Sequence, residues 1–114
     1  MMYDGKLKDT QMIQNARITG ASIFIERGML TIFVDVEYGD GGGQSFGGYD
    51  LSRHNGAARF ICRVLEVVGV ETWADLQGKT VRIKGEPWGR IDSLGHFMQD
   101  KWFTPAKELP HVAL

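Results

Sequence analysis

Hydrophobic and polar residues alternate most regularly between positions 30 and 38. Leu30, Ile32, Val34, Val36 and Tyr38 fall on one side of an extended chain, and Thr31, Phe33, Asp35 and Glu37 on the other. That two-residue period predicts a half-buried strand. Just upstream, Ile23 and Ile25 alternate with Ser22, Phe24 and Glu26, and Arg27-Gly28 separates the two runs, so the pair reads as a hairpin. Ile18 has the wrong parity for the face shared by Ala21, Ile23 and Ile25. One inserted residue near Gly20 would restore a common face, as a β-bulge does, and would bend the strand.

The cluster Gly39-Asp40-Gly41-Gly42-Gly43 ends the second strand, and Gln44 to Leu51 forms a third around Gly47-Gly48. Paired glycines inside a strand point to a kink or to close approach by another backbone. Ala57, Phe60, Ile61, Val64, Leu65 and Val68 then recur at helical spacing, with Arg59, Arg63 and Glu66 opposite and Gly69-Val70 placed as a C-terminal cap. A short helical turn begins at Thr72, whose hydroxyl and Asp75 could form an Asp variant of the capping box, and Gly78 stops it. Val81 and Ile83 alternate with Thr80, Arg82 and Lys84, a turn follows at Glu86-Pro87-Trp88-Gly89, and the chain returns through Ile91, Leu94, His96 and Phe97.

The expected fold is therefore α+β, in the order β-β-β-α-β-β. It is a small five-stranded antiparallel, strongly bent sheet with one main helix. Closed, this order is that of an OB-like barrel; left open, it is an antiparallel sheet with a helix packed on it. Residues 1–15 show no sustained period and read as a flexible N-terminal arm, residues 16–105 as the single domain, and 106–114 as a C-terminal tail.

Composition narrows the function classes. With 114 residues there is room for one compact core, and the net charge of -1 gives no bulk attraction to nucleic acid or anionic membrane. The charge is uneven: from Lys79 onward six bases face four acids, whereas residues 1–78 carry seven bases and ten acids. A local basic face thus survives in the last third. One cysteine, Cys62, leaves no partner for an intramolecular disulfide and no multi-cysteine zinc site. No apolar run approaches the length of a transmembrane helix, and the first fifteen residues lack the apolar core of a secretory signal. A cytoplasmic protein is expected.

Candidate chemistry is sparse. Gly78-Lys79-Thr80 echoes the end of a phosphate-binding loop, but Trp73 stands where the first glycine belongs and a strand follows the lysine instead of a helix. The glycine-rich segment 39–48 carries Asp40 and lies beside Asp35, Glu37 and Asp50, which repel anions; it reads as a flexible hairpin loop. Asp35, Glu37 and Asp40 are the weak candidates for a Mg²⁺ or Ca²⁺ site and for a metal-dependent hydrolase, against a solvated outer face. His54, His96 and His111 share no metal-ligand spacing, and Cys62 borders the buried stripe of the helix as a small packing residue. No catalytic residue, resident metal or cofactor is expected.

Two binding constellations remain. Arg82 and Lys84 share a strand face, with Trp88 at the adjoining turn and Lys101 before Trp102-Phe103. Basic strands with aromatic platforms suit single-stranded nucleic acid; alternatively the strand is solvated and the aromatics pack inward. For a protein partner, exposed aromatics and arginines supply the anchors that dominate interface energetics, and the candidates are Tyr49, Trp88, Arg90 and Trp102.

Several blocks carry a resemblance: Ala16-Arg17-Ile18, Phe46-Gly47-Gly48-Tyr49, Val68-Gly69-Val70-Glu71, Asp75-Leu76-x-Gly78-Lys79, Gly95-His96 and Asp100-x-Trp102-Phe103-x-Pro105. Over residues 16–105 the chain resembles a group of short proteins encoded by bacteriophages and prophages. The resemblance implies a setting, the cytoplasm of a bacterial host, and transfers no residue role. With it, the expected function is non-enzymatic and stoichiometric: binding of a host or phage protein, such as inhibition of a host-defence system of the CRISPR-effector kind. The alternative is an OB-like single-stranded nucleic-acid-binding protein in phage replication or recombination. An exposed strand edge would add a possible homodimer.

Overall fold

The computed structural model describes residues 12–39, 41–86 and 89–109. Its six strands form one antiparallel sheet in the order β3-β2-β1-β4-β5-β6. They are β1 (Met12–Glu26), β2 (Met29–Tyr38), β3 (Gly42–Gly47), β4 (Thr80–Gly85), β5 (Ile91–Gly95) and β6 (Trp102–Phe103). The main helix, α1 (Gly56–Val68), lies between β3 and β4. A 3₁₀ turn (Trp73–Leu76) follows it, and a single helical turn, α2 (Pro105–Glu108), follows β6.

β1 organises the sheet because two strands share it. Residues 12–17 pair with β4, and residues 17–26 pair with β2. The expected bulge is present: the register steps from Ile18 opposite Val36 to Gly20 opposite Asp35, leaving Thr19 as the extra residue. Before the step the even-numbered residues Ala16 and Ile18 are buried; after it Ala21 takes up the inward face. Bulge and shared strand together let one strand turn the corner between two halves of a bent sheet. The hairpin turns at Arg27 and Gly28, with φ of 54° and 79°. Two positive φ values are what a tight turn compatible with strand twist requires.

The core lies between the sheet and α1. Phe60 of α1 stacks on Phe46 of β3 with ring centroids 5.6 Å apart, and Phe103 of β6 meets both rings edge-on at 5.3 and 6.0 Å. Val64 and Val67 complete the buried stripe of the helix, and the Gly69 amide closes it by donating to the Leu65 carbonyl. Gly47 sits where β3 leaves β2, and a methyl there would lie 2.2 Å from the Ile32 carbonyl oxygen. The close backbone approach expected of the paired glycines is thus realised. Arg63 ties the helix to the chain end: its guanidinium donates to Glu108 Oε1 at 2.9 Å, to Glu66 Oε1 at 2.7 Å and to the Trp102 carbonyl at 2.9 Å.

Several expectations need correction. The sheet has six strands, not five, the added one being the two-residue β6 that carries Trp102 and Phe103, and the third strand ends at Gly47 instead of running to Leu51. Residues 12–15, assigned to the arm, are the first four of β1. Residues 105–108 form a helical turn and Leu109 is buried, so the ordered body runs past 105. Thr72 makes no side-chain cap; only its carbonyl accepts the Asp75 amide. Cys62 is exposed on the outer side of α1, because the buried stripe runs through Phe60, Val64 and Val67.

The sheet is open, yet its ends approach. Gln44 Nε2 on β3 donates to the Gly89 carbonyl, and Arg90 Nη2 donates to the Gly47 carbonyl at 3.3 Å. These side chains strap β3 to the β4–β5 connection; among the described residues no backbone ladder joins β3 to β5.

Candidate functional site

The residues expected to form one partner-binding set are divided. Tyr49 is only 7% exposed, so it is a core residue and not a surface anchor. Its ring meets Phe46 and Phe60, and the Arg90 guanidinium lies 4.6 Å from its centroid. Trp88 lies outside the described residues. Trp102 is half-buried on the outer face of β4 and β5, its indole resting on Gly95, where a methyl would lie 2.6 Å from the ring. Tyr49 and Arg90 therefore belong together, and Trp102 belongs to a different cluster.

Burial raises the Tyr49 phenol above its ordinary pKa of 10.0, against the opposing charge of Arg90; the Asp92 charge adds to the rise and a hydrogen bond from Arg90 opposes it. A pKa raised on folding contributes stability that is complete below the unfolded value and lost as pH climbs through the folded one. Alkaline titration followed by phenolate absorbance is expected to show a late component above pH 10 that Tyr49→Phe removes. An unchanged profile in that variant would contradict the burial.

The basic-aromatic set of the nucleic-acid alternative does gather. Arg82 and Lys84 lie over the Trp102 ring at 4.9 and 4.3 Å. However, Arg82 donates through Nε to the His96 carbonyl and through Nη2 to the Gln99 carbonyl, both at 2.8 Å, and Trp102 Nε1 donates to Asp100 at 3.1 Å. With Gly95 against the indole and two cations over it, the ring offers no open face on which a base could stack. Lys101 is exposed beside this cluster.

The same loop is fixed by His96, whose Nδ1 accepts the amides of Met98 at 3.0 Å and Gln99 at 2.9 Å. His96→Ala removes both acceptors. Each bond is worth on the order of 1 kcal/mol, so amide exchange at Met98 and Gln99 should accelerate at least about tenfold. Unaltered protection would show that the loop holds without the imidazole.

The candidate metal ligands are engaged elsewhere. Asp35 Oδ1 accepts the Ser45 hydroxyl, and Glu37 Oε1 pairs with Arg17 Nη2 at 3.1 Å on an exposed sheet face. Asp40 and His111 lie outside the described residues. Among those described, no group of three or more His, Cys, Asp or Glu side chains is placed to hold a metal ion. His54, with φ of 54°, and Asn55 lead into α1 in left-handed conformation.

A different surface, absent from the sequence-derived set, stands out. Beyond the bulge the β1–β2 hairpin leaves the body, and the paired apolar residues stop being buried. Ile23, Ile25 and Leu30 on the inward-continuing face are 44%, 66% and 43% exposed; Phe24 and Met29 on the opposite face are 39% and 46% exposed. Phe24 stacks on Phe33 at 6.1 Å. Among the described residues, the edge of β1 toward β4 is unpaired after Ile18, and β2 has no β3 partner before Phe33. The sequence signal was present: Ile23-Phe24-Ile25 is apolar on both parities, whereas a strand with one solvated face alternates. Comparison with protein-family models, curated proteins and solved structures finds no match. No helix among the described residues is long and apolar enough to cross a membrane.

Proposed function

We propose that this chain is a non-catalytic binding protein that acts stoichiometrically on a protein partner, and that the distal β1–β2 hairpin is the element the partner receives. The carrying observation is the exposure of Ile23, Phe24, Ile25, Met29 and Leu30 on both faces of one two-stranded ribbon. Exposed apolar side chains gathered on one element in this way commonly mark an interaction surface. An isolated two-stranded ribbon is marginally stable in water, so a protein that keeps one has a reason to. The positive φ values at Arg27 and Gly28 set its turn in advance, which lowers the ordering cost of binding.

The partner favoured is a different protein with an apolar groove. Edge pairing with a second copy would satisfy the free backbone of β1 but leave both apolar faces in water; a groove that encloses the ribbon covers all five side chains. The OB-like reading of the open sheet is part of the proposal. It is supported by the strand order, the long shared first strand, the helix between β3 and β4, and the straps from Gln44 and Arg90. The phage-type setting, with a host-defence protein as target, extends the same reading and rests on the block resemblance alone.

The test is hairpin-dependent capture. Wild type and an Ile23→Thr/Ile25→Thr/Leu30→Thr variant of equal thermal stability serve as baits in bacterial lysate, and both are sedimented alone. Stoichiometric capture by wild type only is expected. Capture by neither, or equally by both, overturns the proposal. A wild-type dimer that the variant dissolves, without capture, assigns the hairpin to a second copy instead.

A further inference from the structure

Nine large hydrophobic side chains are exposed among the described residues. Five belong to the distal hairpin, two are Met12 and Ile13 at the start of β1, and two are Phe97 and Met98, which follow β5. Strand pairing decides where the last two lie. β1 runs toward the hairpin, and β4 runs away from it, with Thr80 opposite Arg17 and Gly85 opposite Met12. β5 runs toward it again, from Ile91 opposite Gly85 to Gly95 opposite Arg82. The chain beyond Gly95 therefore leaves the sheet at the end where β1 and β2 project. Two strand spacings set β5 about 10 Å from β1, on the side where β1 is unpaired after Ile18 among the described residues. Seven of the nine exposed apolar side chains thus sit on two elements at one end of the sheet.

Single exposed apolar residues are ordinary on a protein surface; a concentration of them is not. The segment from His96 to Lys101 is also held at many points. The His96 amide donates to the Lys101 carbonyl and the Lys101 amide to the Gln99 carbonyl, each at 2.9 Å. The His96 imidazole holds the amides of Met98 and Gln99, and Arg82 holds the carbonyls of His96 and Gln99. A loop tied in this way is set before any encounter, so little ordering cost falls on binding. It nevertheless carries Met98 at 77% exposure and Phe97 at 41%. Aromatic residues and methionine are the side chains in which the buried centres of protein interfaces are enriched.

We propose that the loop 96–101 is a second contact for the protein that receives the hairpin, with Phe97 and Met98 entering an apolar recess beside the groove. The loop contact rests on the hairpin reading and adds to it the shape of the partner: a groove, and a recess about 10 Å to one side of it. Charge at the two tips favours a protein over a bilayer. Glu26 stands beside Arg27 and Asp100 beside Lys101, so neither tip presents the cluster of bases that an anionic lipid surface attracts. Once the hairpin is seated, the loop meets its recess at high effective concentration, so the two contacts reinforce each other.

The test is photo-crosslinking of the full chain in bacterial lysate, from a benzophenone amino acid that replaces Glu26, Lys101 or Cys62. All three positions are exposed, and Cys62 faces away from the hairpin end on the outer side of α1. The probes at 26 and 101 should mark the same protein, and the probe at 62 should not. That protein, purified, is titrated by calorimetry against wild type and a Phe97→Ser/Met98→Ser variant. The variant keeps the backbone bonds of the loop, so it should hold its unliganded Tm and bind at least about tenfold more weakly. Vesicles of phosphatidylcholine and phosphatidylglycerol in equal parts form a parallel arm and should sediment none of the chain. A crosslink from position 26 alone, or affinity unchanged in the variant, overturns the loop contact and leaves the hairpin reading standing. A crosslink from position 101 alone overturns both, as does none from either. Different proteins at the two positions refute a shared partner. Sedimentation with vesicles that the variant abolishes assigns the loop to a lipid surface and refutes the protein recess.

Discussion

Gly47→Ala is expected to destabilise the protein by about 2–6 kcal/mol and to lower its melting temperature by about 8 °C or more. Two separate effects act at this position. The residue has φ of 136°, which alanine adopts only under strain, and its new methyl would stand 2.2 Å from the Ile32 carbonyl oxygen. The first costs on the order of 1–3 kcal/mol. The second forces β3 away from β2, and overpacking of that kind adds about 1–3 kcal/mol. The strand cannot simply yield, because Gly48 donates its amide to the same Ile32 carbonyl and Phe46, one residue earlier, is locked against Phe60 and Phe103.

Gly28→Ala separates the two effects. Gly28 also has positive φ, at 79°, but nothing lies within 4 Å of a methyl placed there. It should lose only the conformational component, about 1–2 kcal/mol. Urea denaturation of both variants reads the difference directly. If Gly47→Ala is no worse than Gly28→Ala, the backbone approach between β2 and β3 is looser than the structure has it, and the seam that positions Tyr49 and Arg90 loses its basis.

Gly47 also marks what kind of feature is legible in this sequence. The close approach at Gly47, the parity break at Ile18 and the periodic stripe ending at Gly69 each encode local geometry, and each appears where it was expected. Their information lies within a few residues. β1 from Met12 to Asn15 is less legible because its inward side chains include Gln14, which interrupts the apolar alternation that announces a strand. β6 spans two residues, too few for any period, and exists because Phe103 has a cavity to fill between Phe46 and Phe60.

The candidate site was harder still, because exposure depends on which elements come to cover a residue. Tyr49 has the composition of an anchor and is buried under the packing of Phe46 and Phe60. Arg82 has the composition of a phosphate contact and instead holds the carbonyls of a loop 14 and 17 residues away. Ile25 has the composition of core and is 66% exposed, because β4 stops pairing with β1 near the bulge and, among the described residues, no other strand takes its place. Tyr49 and Ile25 thus exchange inside and outside relative to what their composition suggests.

That exposure underlies the second large effect. Ile23→Thr, Ile25→Thr and Leu30→Thr together are expected to weaken partner binding at least 100-fold while changing folding stability by no more than about 1 kcal/mol. Threonine keeps the β-branched shape of Ile23 and Ile25 and brings it to position 30, a shape that strands favour, so the hairpin should persist with Ile23 opposite Ile32 and Ile25 opposite Leu30 replaced by threonine at the mutated sites. Two lost anchors of about 2 kcal/mol each would already produce a several-hundred-fold change. The opposite face provides the sharper distinction. Phe24→Thr with Met29→Thr alters only the other side of the same ribbon, at the modest stability cost of the Phe24–Phe33 stack. A groove that encloses the hairpin must register both sets of substitutions, each by at least tenfold. A flat surface, or a strand added along the edge of β1, would register one set or neither. Titration calorimetry with the captured partner therefore decides between enclosure and edge addition, and equal affinity for wild type and Phe24→Thr/Met29→Thr would rule enclosure out.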